Sequence, residues 1–347
     1  MNKSLRLLFD IGHPAHIHLF RRFIRYLQEK TPHQVIITAR DKDLNKILLN
    51  HYHFKFYLTP SFRSGILSNL SELVYRDAFL FRLHQKYRFN LAIGTSANLG
   101  HLTFLTGIKS FNFVTDDDAV IPQLSWVDYP YVTRLIHPDC VQFRNRKHKR
   151  IVHPSYHALA FLHPNHFKPD PKIPEKYGLS PYEYILIRRS ALRAFHDHKF
   201  ARSNPIWKQV KAHIKDFPLL ISRENDPDFE ISPWDMHHIL AFSKCIISDS
   251  QAMTAEAAVL GVPAFIYSRL AGRLGYLREL EHTYHLIHGY HPGPDDDRFI
   301  SDIGVFLERS SKDIQSEWQS RRMKMLADKV DLSEWMIDYF SRCISNL

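Results

Sequence analysis

CIISDSQAMTAEAAVLGVPAFIYS, residues 245–268, reads as strand, turn, helix and strand. The apolar run Cys245-Ile246-Ile247 ends in the polar turn Ser248-Asp249-Ser250-Gln251, and an Ala-rich helix starts near Met253. Gly261-Val262-Pro263 stops that helix before a second apolar run, Ala264 to Tyr267. Ser250 fits the N-cap, where a hydroxyl accepts a bond from an amide with no helical partner. The remaining N–H groups and the positive end of the helix dipole then face the turn, which makes an anion site. Glu256, about one and a half turns into the helix, has the wrong sign for that anion. It suits a ribose diol beside phosphates. The same residues also read as an ordinary βαβ crossover with a capped helix and one solvated Glu.

Outward from this stretch the alternation continues on both sides. Upstream, Tyr184–Ile187 is a strand ending in Arg188, Arg189 and Ser190, followed by a helix over Ile206–Ile214, the strand Pro218–Arg223 and a helix over Trp234–Phe242. Downstream come a basic loop from Ser268 to Arg273, a helix near Tyr276–His282 and a short strand at Leu286-Ile287. Asp295-Asp296-Asp297 reads as a surface turn or helix entry, and helices follow over about Asp313–Val330 and Leu332–Cys343.

The amino-terminal half repeats the pattern. Its strands are Leu5–Asp10, Gln34–Arg40, Phe54–Leu58, Leu91–Gly94 and Lys109–Val114, with short ones around Val132–Ile136 and Ile151–His153. The helices between them cover about Ile17–Lys30, Asp43–Tyr52, Leu67–Tyr87 and the stretch from the Thr95–Asn98 cap to Thr106, which Gly107 stops. In the first helix Ile17, Phe20, Phe23, Ile24 and Leu27 fall at helical spacing. Alternation of this kind builds doubly wound parallel sheets, whose ligands lie at the carboxyl ends of the strands. G-x-G-x-x-G is missing, so the dinucleotide fingerprint is too.

Residues 163–174 hold four prolines in twelve positions and read as an extended, semi-rigid linker. The expected division is an N-terminal Rossmann-like domain over 1–165, a linker over 166–177 and a C-terminal Rossmann-like domain over 178–330. A last helix, 331–347, returns to the first domain.

A chain of 347 residues is long enough for two such cores. Three cysteines, none in a C-x-x-C pair, make no disulfide framework, and a reducing cytoplasm is the expected place. The apolar run in MNKSLRLLFDIG is too short for an export signal, and no stretch approaches the roughly 20 apolar residues of a membrane span. The formal charge of +10 suits an anionic partner. Arg144-Asn145-Arg146-Lys147-His148-Lys149-Arg150 reads as a solvated loop or as contact with an anionic membrane surface, and that surface or a lipid-linked acceptor is the further expected partner. The second reading puts the chain peripherally at the inner membrane face. No nucleic-acid module is present, and nucleic acid is not an expected partner.

SDSQAMTAEAAVLGVP resembles the nucleotide-sugar-binding segment of GT-B fold enzymes, especially UDP-N-acetylglucosamine 2-epimerases. In those a D-S turn leads into a helix that carries a Glu and ends L-G-x-P. FDIGHPAHIHLF, VIITARD, IGTSANLGHLTFLTGIKSFNF, ILIRRSALRAFHD and SDSQAMTAEAAVLGVPAF, spanning residues 9–265, are similar to the domain of unknown function 354 family. That family is related to the 2-epimerases and to glycosyltransferases. The resemblance implies an α/β GT-B architecture of two Rossmann-like domains facing across a cleft. It implies that Ser250, Gln251 and Thr254 contact phosphate oxygens, that Glu256 holds the ribose, and that Arg188 faces the diphosphate of a UDP-linked sugar. Arg223 is the candidate nearer the base.

An inverting glycosyl transfer needs a base for the acceptor hydroxyl and positive charge for the leaving diphosphate. His13 and Asp117 are the candidate bases. His13, His16 and His18 also invite a metal reading, but His16 and His18 fall about 200° apart on a helix; capping or packing suits them better. With 23 histidines, His196-Asp197-His198 and His237-His238 read as chance clusters. Neither metal nor cofactor is expected, because the helix terminus and Arg188 can neutralise a diphosphate. The expected activity is glycosyl transfer in surface polysaccharide or glycolipid assembly, with 2-epimerisation and non-catalytic nucleotide-sugar binding as rivals. Against epimerisation, Phe113-Val114-Thr115-Asp116-Asp117 stands where 2-epimerases have His-Val-Glu-Ala-Gly, and Gly94-Thr95-Ser96 where they have Gly-Asp-Thr; Asp116 to Asp118 could still supply a carboxylate for it.

Overall fold

The computed structural model describes residues 4–42, 44–62, 66–120, 126–144, 146–189, 206–223 and 230–345. Ser190, His196–His198 and the first expected helical residue, Asp43, lie outside the described residues. The chain divides into two compact units: Met1–Phe161 with Val330–Leu347, and Leu162–Lys329.

Unit 1 carries seven strands: β1 Arg6–Ile11, β2 Gln34–Asp41, β3 Phe56–Pro60, β4 Leu91–Gly94, β5 Lys109–Phe113, β6 Arg134–Pro138 and β7 Arg150–His153. They run parallel in the order β3-β2-β1-β4-β5-β6-β7, so the winding reverses between β1 and β4. Leu7, Leu8, Phe9 and Ile11 are all fully buried. A parallel strand covered on both faces reads as a continuous apolar run, which is why β1 is visible in the sequence.

The helix after β1 spans Pro14–Lys30, three residues longer at its start than the apolar periodicity implies. His13 caps it and Pro14 occupies the first turn, where a missing N–H costs nothing. Phe20 and Phe23 meet Phe9 edge-on, with ring centroids 5.6 and 5.7 Å apart. The C-terminal helix Leu332–Ser345 packs here as well: Phe340 lies 5.2 Å from Phe23 and 5.0 Å from Phe111. Hydrogen bonds from Val330 N to Pro154 O (2.9 Å) and from Ser155 Oγ to Val330 O (2.6 Å) fix where that last segment enters unit 1.

Unit 2 has five parallel strands: β8 Ile185–Arg189, β9 Leu219–Arg223, β10 Cys245–Ser248, β11 Ala264–Tyr267 and β12 Ile287–Tyr290. Their order is β12-β11-β10-β8-β9, and the winding reverses between β8 and β10. The helix that follows β10 covers Gln251–Leu260 and ends at Gly261, whose φ of 75° is the left-handed conformation a C-cap glycine supplies. A side chain at Gly261 would also collide with Gln319 and Arg322. Asp295 to Asp297 form a helix entry, the helix itself being Asp296–Leu307.

The proline-rich segment is not extended throughout. Lys172–Lys176 is a short helix, and Ile173 and Tyr177 pack on Tyr184, Ile231 and Ile239 of unit 2. Pro171 and Pro174 fall at the N-cap and in the first turn, where helical amides have no internal acceptor. Proline density therefore marks a helix start here as well as a chain crossing.

Candidate functional site

In open α/β sheets ligands bind outside the carboxyl ends of the strands, where the winding reverses. In unit 2 that place is flanked by Arg188 and the turn after β10. Arg188 is in register with Ser248 on one side and Ser222 on the other, and its Nη1 donates to Ser222 Oγ at 2.6 Å. The turn is built from hydroxyls. Ser248 Oγ accepts from Ser250 N at 2.8 Å, and Ser250 Oγ accepts from Met253 N at 3.5 Å, the long limit of a cap bond. Gln251 Nε2 donates to Ser268 Oγ at 3.1 Å, coupling the helix start to the loop after β11. Arg223 is exposed at the end of β9.

Two of the expected contacts take a particular form. Thr254 is fully buried and gives its hydroxyl to Ser250 O at 2.8 Å, so it shapes the turn. Glu256 is buried on the same helix with its Oε2 3.3 Å from His237 Nε2, and His237 in turn packs against Phe167. The His237 pairing is not visible in the sequence, which offers only a histidine doublet nineteen residues upstream. Under the turn, burial pushes the Cys245 thiol up to about 12, which leaves it protonated and inert.

Unit 1's reversal point is furnished differently. Asp10, at the end of β1, is completely buried and clasped by Arg76, whose Nη2 lies 2.8 Å from each carboxylate oxygen. Thr38 Oγ1 donates to Asp10 at 2.7 Å, and the Ser96 hydroxyl adds another bond. His16 Nδ1 lies 2.6 Å from Thr95 Oγ1 and 3.4 Å from Gly12 N. Burial, and then the neighbouring His13, His157 and Arg76, hold the His16 pKa well below the usual histidine range, so it is neutral near pH 7. Burial pushes His157 down to about 3.

His13 is exposed, and its Nδ1 accepts from Ala15 N at 3.2 Å. That bond puts the proton of the neutral ring on Nε2. His18 is buried against Phe161 and Tyr52, a packing histidine. Asp117 is buried and accepts from Gln142 N at 2.9 Å; Asp118 does the same for Arg144 N at 2.9 Å. The two carboxylates fasten the segment after β5 to the chain around residues 142–144.

Comparison with known proteins gives a likeness in structure alone. No family model matches the chain, and no curated protein does. The structure of S. aureus MnaA with UDP aligns with a TM-score of 0.69 at 11% identity, covering 99% of this chain and 98% of that one. UDP-GlcNAc 2-epimerase from Neisseria meningitidis, bound to UDP-GlcNAc, gives 0.63 at 11% identity over 97% and 100%. The spinosyn forosaminyltransferase SpnP gives 0.64 at 12% identity over 99% and 100%. The fold is GT-B. Two mainly parallel sheets with alternating helices, one in each unit, are the architecture that this chain shares with both kinds of enzyme. At these identities the GT-B likeness concerns the path of the chain, so chemistry has to be argued from the side chains.

Proposed function

We propose that this GT-B chain is a glycosyltransferase that takes a nucleotide sugar, UDP-linked, as donor and extends a surface polysaccharide or glycolipid. The observation that carries the reading is the start of the helix Gln251–Leu260 at unit 2's reversal point, with Arg188 in register beside it. The first-turn amides, the Ser250 and Gln251 side chains and the Arg188 guanidinium take the diphosphate, and Arg223 lies toward the base. Thr254 serves by holding the turn. Glu256 takes the ribose, its Oε2 also lying 3.3 Å from His237 Nε2. The UDP and UDP-GlcNAc held by structural neighbours agree with this.

In the reaction the acceptor oxygen attacks the anomeric carbon as the bond to the diphosphate breaks. The acceptor proton passes to a base, and the helix terminus and Arg188 receive the leaving group's charge. Our reading gives the proton to His13. Accepting it at Nε2 requires the tautomer with hydrogen on Nδ1 and forfeits the Ala15 bond, about 0.5–1.5 kcal/mol. General-base assistance of about 10²–10⁴-fold outweighs that cost. Asp117, the other candidate, already supports the Gln142 amide.

Transfer is favoured over epimerisation by what occupies the sugar-side positions. Thr95 and Ser96 present hydroxyls engaged by His16 and Asp10, and the Asp10 carboxylate beside them is already clasped by Arg76, where elimination and re-addition call for acidic groups free to exchange protons. The test begins with melting-temperature shifts across a panel of nucleoside diphosphates and nucleotide sugars, since a ligand of the native state raises the midpoint. Nucleotide sugars that bind are then incubated with and without acceptor glycans or glycolipids. Acceptor-dependent release of UDP supports the proposal. Sugar inversion without an acceptor makes the chain an epimerase, and binding with no turnover makes it a carrier.

A further inference from the structure

The basic run and a set of uncovered aromatic side chains come together at the amino-terminal edge of the unit 1 sheet, opposite the edge that carries Asp10 and His13. Three segments enter neighbouring parallel strands there. The helix Asn98–Thr106 leads to β5, the stretch Trp126–Tyr131 to β6, and the 3-10 turn Lys147–Lys149 to β7. Trp126 is 78% exposed and Phe104 71% exposed, with Leu105 and Tyr131 also open to solvent. The Phe104 ring stands 5.1 Å from Tyr131, and His101 Nε2 lies 3.2 Å from Val127 O, so helix and loop form one surface. Lys149 Nζ donates to Pro130 O at 2.6 Å and Val132 O at 2.9 Å, which fastens the basic turn to the aromatic loop.

The exposed charges at the starts of β5 and β6 and in the 3-10 turn are basic, and Asp77 beside this surface is paired with His101 at 2.7 Å. Lys109 and Arg134, the first residues of β5 and β6, are exposed, as is Lys147. Between residues 126 and 150 the acidic residues are Asp128 and Asp139. Asp128 is buried, accepting from Gly100 N at 3.1 Å and from Asn112, and Asp139 follows β6 at the opposite edge.

Positive charge alone fits any polyanion, but solvated charge does not account for an indole, two further rings and a leucine left open beside it. Trp and Tyr favour the headgroup level of a bilayer, Phe and Leu enter the acyl boundary, and Lys and Arg are drawn to anionic lipid. We propose that this face docks unit 1 peripherally on an anionic lipid bilayer. Trp126, Phe104 and Leu105 enter the headgroup layer, and Lys109, Arg134 and Lys147 lie against its negative charges. No helix among the described residues is long and apolar enough to cross a membrane. The inference is independent of the sugar-transfer reading.

Co-sedimentation of the full chain with phosphatidylcholine vesicles, with and without phosphatidylglycerol, tests it. Binding is expected only with phosphatidylglycerol, and it weakens with salt. Lys147→Ser and Arg134→Ser should each weaken it roughly fivefold. The double variant Trp126→Ser/Phe104→Ser should lose it while keeping the melting midpoint, because both side chains are exposed. Equal binding to neutral vesicles overturns the proposal, as does anionic binding that the aromatic variant leaves unchanged. So does a failure to bind vesicles, whether the face proves instead to carry a dimer or single-stranded RNA lost in that variant, or nothing at all.

Discussion

The carboxyl edges of the two sheets occupy the same topological place and are furnished in opposite ways. In unit 2 the reversal point holds a hydroxyl-built turn, a helix start and an arginine whose Nη1 is held by Ser222. In unit 1 the corresponding place holds Asp10 and Arg76 clasped together out of water, with the buried histidines His16 and His157 in the same unit held neutral. In our reading the first edge takes the diphosphate. The second pairs its buried carboxylate and guanidinium with each other, and our reading gives it the acceptor's hydroxyl groups. Topology alone fixes where a ligand can bind; side-chain charge decides which kind.

The sharpest way to break this contrast is to remove one arginine from each edge. Arg76→Ala leaves Asp10 buried without its cation, a loss that runs to about 3–5 kcal/mol of stability. Urea unfolding should show it, with nucleotide binding by the remaining native protein unchanged. His13→Asn comes next, because it separates two roles. Asn is among the best N-caps, so the helix Pro14–Lys30 keeps its start and the melting midpoint stays put. Turnover should still fall about 10²–10⁴-fold if the ring is the base. Undiminished turnover would transfer the role to Asp117. Arg188→Ala should cost unit 2 about 1.5–3 kcal/mol of nucleoside-diphosphate affinity, read by calorimetry. Unchanged affinity would remove the anion site from that edge.

A pH series sharpens the comparison further, because unit 1 carries groups that pull in opposite directions. His157 and His16 have folded pKa values below that of an unfolded histidine, about 6.5. Below that pH the unfolded chain binds more protons, so their contribution is whole above it and drains away as acid is added. Asp128 behaves in reverse, since burial raises it to about 7. The folded chain then holds its proton longer, and stability declines as pH rises from about 4 towards 7. Melting curves over this range should lose their acid limb in His157→Phe and their decline towards neutrality in Asp128→Asn.

How much of this was legible beforehand divides along physical lines. Strands buried on both faces announce themselves as apolar runs, and Ser250 and Gly261 mark helix ends by local chemistry, so the alternating fold could be read. Partners distant in sequence could not. Arg76 lies 66 residues from Asp10, Ser222 lies 34 from Arg188, and His237 lies 19 from Glu256. Each pairing depends on strand order, which periodicity leaves open. Thr254 is an intermediate case. A threonine in a first helical turn readily bonds back to the carbonyl four residues earlier, and this one does.

The smallest expected effect compares the two capped helices directly. Each reversal point is followed by a helix with a side-chain cap, His13 Nδ1 at 3.2 Å in unit 1 and Ser250 Oγ at 3.5 Å in unit 2. The longer bond is the weaker, so Ser250→Ala should lie near the low end of the cap scale, about 0.5 kcal/mol. Nucleotide should magnify the difference, because in our reading the same hydroxyl also meets the diphosphate. Chemical unfolding of Ser250→Ala with and without UDP measures both terms. A loss that grows when UDP is present supports a hydroxyl working at the ligand, and a loss identical in the two conditions reduces Ser250 to a cap.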